Sequence, residues 1–224
     1  MRSWHHPIQF FLIVGLALIV RSAGACADDV SPGGGVTLNN EAAQQAVVEF
    51  ARKQNMQLPG ACRSATYGAP SRPVIFGTPG TDATGEMTGG AWIQSVIATG
   101  CGTHLQLNTL TMVQSDGALR RIALLPGNTI ADPFLQRDGI MYARAGAAGL
   151  IPPDCHHVLI VETRFVKYEG DAVASVPSGR TLRPWREDWA LDACGTRVAV
   201  VMHFVPDATG TTIVVHRNES RLVK

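Results

Sequence analysis

Cysteine offers the most chemistry in this chain, because a thiolate can attack an electrophile, ligate a metal or oxidise to a disulfide. There are five cysteines. Four keep a strict register: Cys62 and Cys101 are thirty-nine residues apart, Cys155 and Cys194 are thirty-nine apart, and the second pair follows the first by ninety-three. No Cys-x-x-Cys occurs, so the spacing of a zinc site or a redox dithiol is missing. Matched spacing favours bridges, Cys62 with Cys101 and Cys155 with Cys194. Closing a loop of about 40 residues stabilises by roughly 4 kcal/mol before strain is subtracted.

The histidines come next. His156 and His157 are adjacent, so on a strand they point to opposite faces and cannot ligate one ion together. His203 and His216 fall on two arms of a hairpin, where a suitable register makes them diagonal neighbours. A zinc site needs three or four ligands at defined spacing, and no His-Glu-x-x-His is present. Neither a metal nor a cofactor is expected. Asp82-Ala-Thr-Gly85 and Asp207-Ala-Thr-Gly210 carry turn chemistry rather than a calcium loop, which needs more carboxylates. Trp185, Glu187 and Trp189 have the residue types of a sugar-stacking groove. Trp92 stands ninety-three residues before Trp185, however, which favours paired core positions. Gly-x-Ser-x-Gly and a phosphate-cradling glycine loop are both missing, so no catalytic residue is assigned.

These residues must be positioned by elements that repeat. Trp92 and Trp185 each precede Cys-Gly-Thr by the same distance, at Cys101-Gly102-Thr103 and Cys194-Gly195-Thr196. With the four cysteines, this register predicts a tandem duplication. Asn39 or Asn40 caps a helix running to about Met56, with Ala43, Val47, Phe50 and Ala51 on one face. Asp132-Pro133 starts a second helix, weakened by Gly139 and Gly146 at about 1 kcal/mol each. After each helix a breaker and a cysteine follow. His157 to Lys167 is the strongest strand signal. Gly77 to Gly90 and Glu169 to Pro184 are expected as long connections. The tryptophan segments alternate as strands, and the glycine after each cysteine suits a bulge or tight bend. Further hairpin strands follow, with Leu105, Leu107 and Thr109 alternating in one and Val198, Val200, Met202 and Phe204 in the other.

The expected fold class is therefore α+β. Two tandem duplicated modules each carry an N-terminal helix on about four antiparallel strands, stapled by a disulfide. The expected boundaries are 1–27 for a signal peptide, 28–38 for a flexible tether, and 39–127 and 128–224 for the modules.

Composition limits the partners. Hydrophobic residues make up 46% and charged residues 17%, which suits a packed core. Without the first 27 residues, 17 basic side chains face 18 acidic ones, so the basic excess that a nucleic-acid backbone requires is missing. Arg2, the apolar run from Phe10 to Val20 and the small residues Ala23 to Ala27 have the three-part plan of a secretory signal. The run falls short of the roughly 18 residues of a spanning helix. Ala23-Gly24-Ala25-Cys26 also resembles a bacterial lipoprotein signal, which implies a lipid anchor at Cys26. Cleavage after Ala27 would instead discard that thiol.

The expectation is an exported protein, periplasmic or extracellular, that binds another protein or an envelope component without catalysis. The alternative is a carbohydrate-active or other hydrolase with its site in the long loops or between the modules.

Overall fold

The computed structural model describes residues 40–81, 87–171, 183–207 and 210–223. The expected signal and tether lie outside these residues, as does the whole of the first Asp-Ala-Thr-Gly, 82–85.

Helix α1 spans Glu41–Met56. The Asn40 side chain caps it by accepting from the Ala43 N–H at 2.6 Å, with Glu41 near the positive end and Lys53 in the last turn. Val47, Ala51 and Gln54 form its buried stripe at helical spacing. Five strands follow: β1 (Thr66–Tyr67), β2 (Val74–Thr81), β3 (Met87–Gly100), β4 (Thr103–Val113) and β5 (Leu119–Ala123). They form one antiparallel sheet in the order β1-β3-β4-β5, with β2 also on β3. Pro70 and Pro73 lack the N–H that a continuous edge strand uses, so between β1 and β2 only isolated backbone bonds reach β3, from the Gly68 N–H to Ile97 O at 2.9 Å and the Ser71 N–H to Ser95 O at 2.8 Å.

Helix α2 (Pro133–Ala147) is capped by Asp132 Oδ1, which accepts from the N–H groups of Phe134 at 2.8 Å and Leu135 at 3.0 Å. A second antiparallel sheet follows: β6 (Val158–Tyr168), β7 (Trp185–Ala193), β8 (Thr196–Pro206), β9 (Thr211–Val214) and β10 (Arg221–Leu222). Its order is β10-β8-β7-β6, with β9 also on β8. The protein is thus mixed α+β, with two five-stranded antiparallel sheets and one long helix for each. Each sheet has one strand more than the sequence suggested, because the short pieces β1 and β10 pair at the edges. No helix among the described residues is long and apolar enough to cross a membrane.

The registers of the two sheets correspond closely. Trp92 faces Thr111 across β3 and β4, and Trp185 faces Phe204 across β7 and β8, ninety-three residues on in both members. On the other side Ile75 faces Trp92, and Tyr168 faces Trp185. The correspondence slips by one residue at the last hairpin, where the turn before β9 is shorter than the turn before β5.

Two disulfides staple the fold, Cys62–Cys101 and Cys155–Cys194, each with 5.8 Å between Cα atoms. Of the bulge or tight bend expected after each cysteine, the structure forms the tight bend, with Cys101 and Cys194 inside it. They are the first residues of two-residue hairpin turns, with Gly100 paired to Thr103 and Ala193 to Thr196. Such a turn needs positive φ at both central positions. Cys101 has φ 49° and Gly102 76°, while Cys194 has 53° and Gly195 85°. A side-chain-bearing residue in that region costs about 1–2 kcal/mol, which the bridge to the segment after each helix holds in place.

Under α1, Val47 and Ala51 pack on Val96, Ala98 and Leu107. Under α2, Ala143 and Ala147 pack in a larger core with Trp185, Trp189, Leu191, Val198, Val200, Met202 and Phe204. The indole of Trp185 stacks on Phe204 at 4.7 Å between ring centroids. Gly139 and Gly146, expected only to weaken α2, let it approach the sheet. An added Cβ would come within 2.5 Å of Trp189 at the first and of Val215 at the second. Trp92 is buried as well, but outside the cluster under α1. Val96 occupies there the register position that Trp189 holds in the other sheet.

The expected connection Gly77 to Gly90 is mostly paired strand, since β2 runs to Thr81 and β3 begins at Met87. In the second connection, 172–182 lie outside the described residues.

Candidate functional site

The two sheets meet along the segment 124–131, which continues from β5 and hydrogen-bonds in both directions. On one side the Leu124 N–H donates to Asn108 O at 2.9 Å and the Gly127 N–H to Gln106 O at 2.7 Å. On the other, the Thr163 N–H donates to Pro126 O at 2.7 Å and the Asn128 N–H to Thr163 O at 2.9 Å. Gly127 and Thr163 form a parallel bridge. The approach is close enough that a Cβ on Gly127 would overlap the backbone of Thr163.

Buried amides lock this seam. Asn108 Nδ2 donates to the carbonyls of Leu125 and Gly127, both at 2.8 Å, while its Oδ1 accepts from Ser95 Oγ at 2.7 Å and Gln106 Nε2 at 2.9 Å. Gln54 on α1 donates to Leu124 O at 2.8 Å. Gln136 on α2 accepts from the Leu125 N–H at 3.0 Å and donates to Ala131 O at 2.9 Å. Glu187 closes the far end. It is fully buried, and its two oxygens accept from Trp185 Nε1 at 2.9 Å, Trp189 Nε1 at 2.8 Å and the Ile130 N–H at 3.0 Å. An acceptor shared by three donors meets the requirement that buried polar groups be paired.

Beside the seam is a cleft of about 500 Å³, on the face of the first sheet away from α1. Val74, Ile75, Phe76, Ile93, Leu124 and Ile130 supply its apolar lining. Its hydroxyls and carboxylate are already engaged: Ser95 Oγ on Asn108, Thr129 Oγ1 with the Ala131 N–H, and Asp132 as the cap of α2. Among the described residues no histidine, cysteine, lysine or arginine lines it. What the cleft offers is therefore shape and apolar surface. Outside it Val74 is 63% exposed and Phe134 61%, with the Arg137 guanidinium 5.8 Å from the Phe134 ring centroid. Phe76 and Phe134 lie 5.7 Å apart between ring centroids, joining β2 to the start of α2.

No family model, no curated protein and no solved structure matches this chain.

The residues singled out by type lie elsewhere. His156 and His157 are exposed beside the second disulfide. Asp207 Oδ1 accepts from the Gly210 N–H at 2.9 Å, which is turn chemistry. Trp185 and Trp189 are buried with Glu187, so they present no platform to a sugar. His203 and His216 do meet, with ring centroids 5.7 Å apart. They belong to a charged face of the second sheet, opposite α2. There Asp188 is shared by Arg164 at 2.9 Å, Arg221 at 3.4 Å and Arg186 at 3.5 Å. Burial pushes the Asp188 carboxyl up, but the hydrogen bond from Arg164 and the charges of Arg186, Arg164 and Arg221 outweigh it and hold it below its ordinary value. Among the described residues no cluster of His, Cys, Asp and Glu is arranged to hold a metal ion.

Proposed function

We propose that this chain is an exported, non-catalytic binding protein, built from a duplicated module and docking a partner protein through the junction cleft. The proposed boundaries are a signal peptide over 1–27, a tether over 28–38, and modules over 39–127 and 128–224. The signal leaves either a lipid anchor at Cys26 or a free mature chain. Duplication is supported by the ninety-three-residue offset that holds across strand pairing, hairpin turns and disulfides alike. Export is supported by the two disulfides, which persist in oxidising compartments.

The observation that carries the binding role is the cleft itself. Its hydroxyls and carboxylate are engaged within the protein, while its apolar rim runs on through Phe76 to exposed Phe134. An apolar surface that extends beyond its own cavity fits a macromolecular partner better than a small polar substrate. The partner's matching feature is an apolar segment whose side chains enter between β2 and α2. Such a contact needs no charge steering, which agrees with the near-neutral chain.

The test is capture from cell-envelope extract with wild-type protein and with Val74→Asp combined with Phe134→Asp. Both positions are exposed, and a melting measurement checks that the double variant is folded, since Phe134 also contacts Phe76. A partner retained by wild type and lost by the double variant supports the assignment. Equal capture by both would refute it.

A further inference from the structure

His203 on β8 faces two chain segments at once. Its Nδ1 is 2.7 Å from Glu169 Oε2, just after β6, and its Nε2 is 2.8 Å from Glu219 Oε2. Glu219 ends the 3-10 turn Arg217–Glu219, which leads directly into β10. Carboxylates only accept hydrogen bonds, and a neutral imidazole carries a single N–H. Holding both contacts together therefore takes the imidazolium, with one proton on each nitrogen.

We propose that His203 is a pH-operated latch on the edge of the second sheet, which holds the segment 217–223 against β8 while the ring is charged and releases it when the ring becomes neutral.

The geometry says which contact yields. Glu169 keeps a second cation, Lys167 Nζ at 3.7 Å, and its N–H donates to Pro184 O at 2.6 Å. Glu219 has only His203 within ion-pair distance among the described residues. Beyond it the segment is held by the two pairs Arg221 with Ala199 and Leu222 with Val198, the Val223 N–H on Arg197 O, Arg221 on Asp188, and the buried Ser220 hydroxyl near Gly146. A two-residue strand is a weak anchor. Its release bares the edge of β8 at Val198 and Ala199, and an unpaired edge is a template for another strand.

The charged groups around the ring are Glu169 with Lys167 at the end of β6, Arg186 and Asp188 from β7, His216 just before the segment, and Glu219 and Arg221 within it. Strand β9 (Thr211–Val214) contributes none. Burial opposes charge on His203, but the hydrogen bonds to Glu219 and Glu169 outweigh it, so the ring stays protonated above its ordinary 6.5. The same hydrogen bond holds Glu219 below its ordinary 4.5. The latch is therefore complete at mildly acid pH. It is lost as pH rises through the raised value of His203, and again in strong acid as Glu219 takes a proton.

Amide hydrogen exchange on the full chain, corrected to intrinsic rates, tests this from about pH 5.5 to about pH 9, a range that brackets ordinary histidine titration. Protection of 217–223 should fall about tenfold across a step above 6.5, the scale of one charge-assisted hydrogen bond, while residues 185–193 stay unchanged. His203→Gln should give low protection with no step. Glu219→Gln, which leaves the histidine in place, should also abolish the step and decides the matter if His203→Gln fails to fold. A flat profile in wild type, or a step surviving in either folded variant, would overturn the latch.

Discussion

The indole of Trp185 donates to the fully buried carboxylate of Glu187 at 2.9 Å, and Trp92 makes the same bond to Gln94, ninety-three residues earlier, at 3.1 Å. In each sheet a tryptophan and the acceptor two positions on share the buried face of the strand that precedes the cysteine turn. The second acceptor does more. It also takes Trp189 and the seam backbone at Ile130.

Glu187 should therefore be costlier to alter than Gln94. Glu187→Gln turns one acceptor into a donor facing another donor and should cost about 1–3 kcal/mol. Glu187→Leu strands all three donors and should cost more. Urea unfolding followed by tryptophan fluorescence measures both, and a Glu187→Leu protein as stable as wild type would count against this role.

The sequence showed the helix caps and the cysteine spacing clearly, because each is carried by residue types at identifiable positions. It did not show the seam. Gln54, Asn108 and Gln136 look like ordinary polar residues on helix or strand, and their importance comes from a backbone segment that reaches them only after the sheets assemble. One signal was available: Gln54 continues the buried stripe of Val47 and Ala51. The cysteine turns were legible at the glycine but not at the cysteine. Cysteine rarely adopts positive φ, so only the glycine after it looked like a turn residue. Glu187 stands among apolar residues on the buried face of β7, and its three donors explain why it is tolerated there.

The seam makes Gly127 sensitive. Its φ of 105° disfavours any side chain, and an added Cβ would overlap Thr163. Gly127→Ala should break the bridge between the sheets and lower stability by about 3 kcal/mol, the scale of strain combined with lost buried hydrogen bonds. Thermal melting measures this. An unchanged melting temperature would mean that the sheets do not depend on the seam.

Each disulfide should contribute separately. Replacing Cys62 and Cys101 together by alanine should cost about 4 kcal/mol, and the same change at Cys155 and Cys194 a similar amount, since both close loops of the same length. Denaturant midpoints of the two variants check the magnitudes. Non-reducing peptide mapping checks the pairing, which a bridge between Cys101 and Cys155 would contradict.

Acid should reveal Asp188. Its depressed value means that its contribution is present above the ordinary 3.8 and fades as pH falls through the lower folded value. Asp188→Asn removes the carboxylate that Arg164, Arg186 and Arg221 share, and should flatten this part of the acid limb. Stability measured from about pH 5 to about pH 2, the range in which carboxylates titrate, gives the answer. Parallel acid limbs in the two proteins would show that the arginines gain nothing from Asp188.

The binding role is tested most directly by photo-crosslinking in the cell that makes the protein. A benzophenone amino acid at Ile130, on the cleft rim, is compared with one at Glu49 on the outer surface of α1. The account expects a discrete covalent adduct with a protein partner from Ile130 that is lost when Val74→Asp and Phe134→Asp are added, and no such adduct from Glu49. The same adduct from both positions, or an Ile130 adduct that survives the rim substitutions, would contradict docking in the junction cleft.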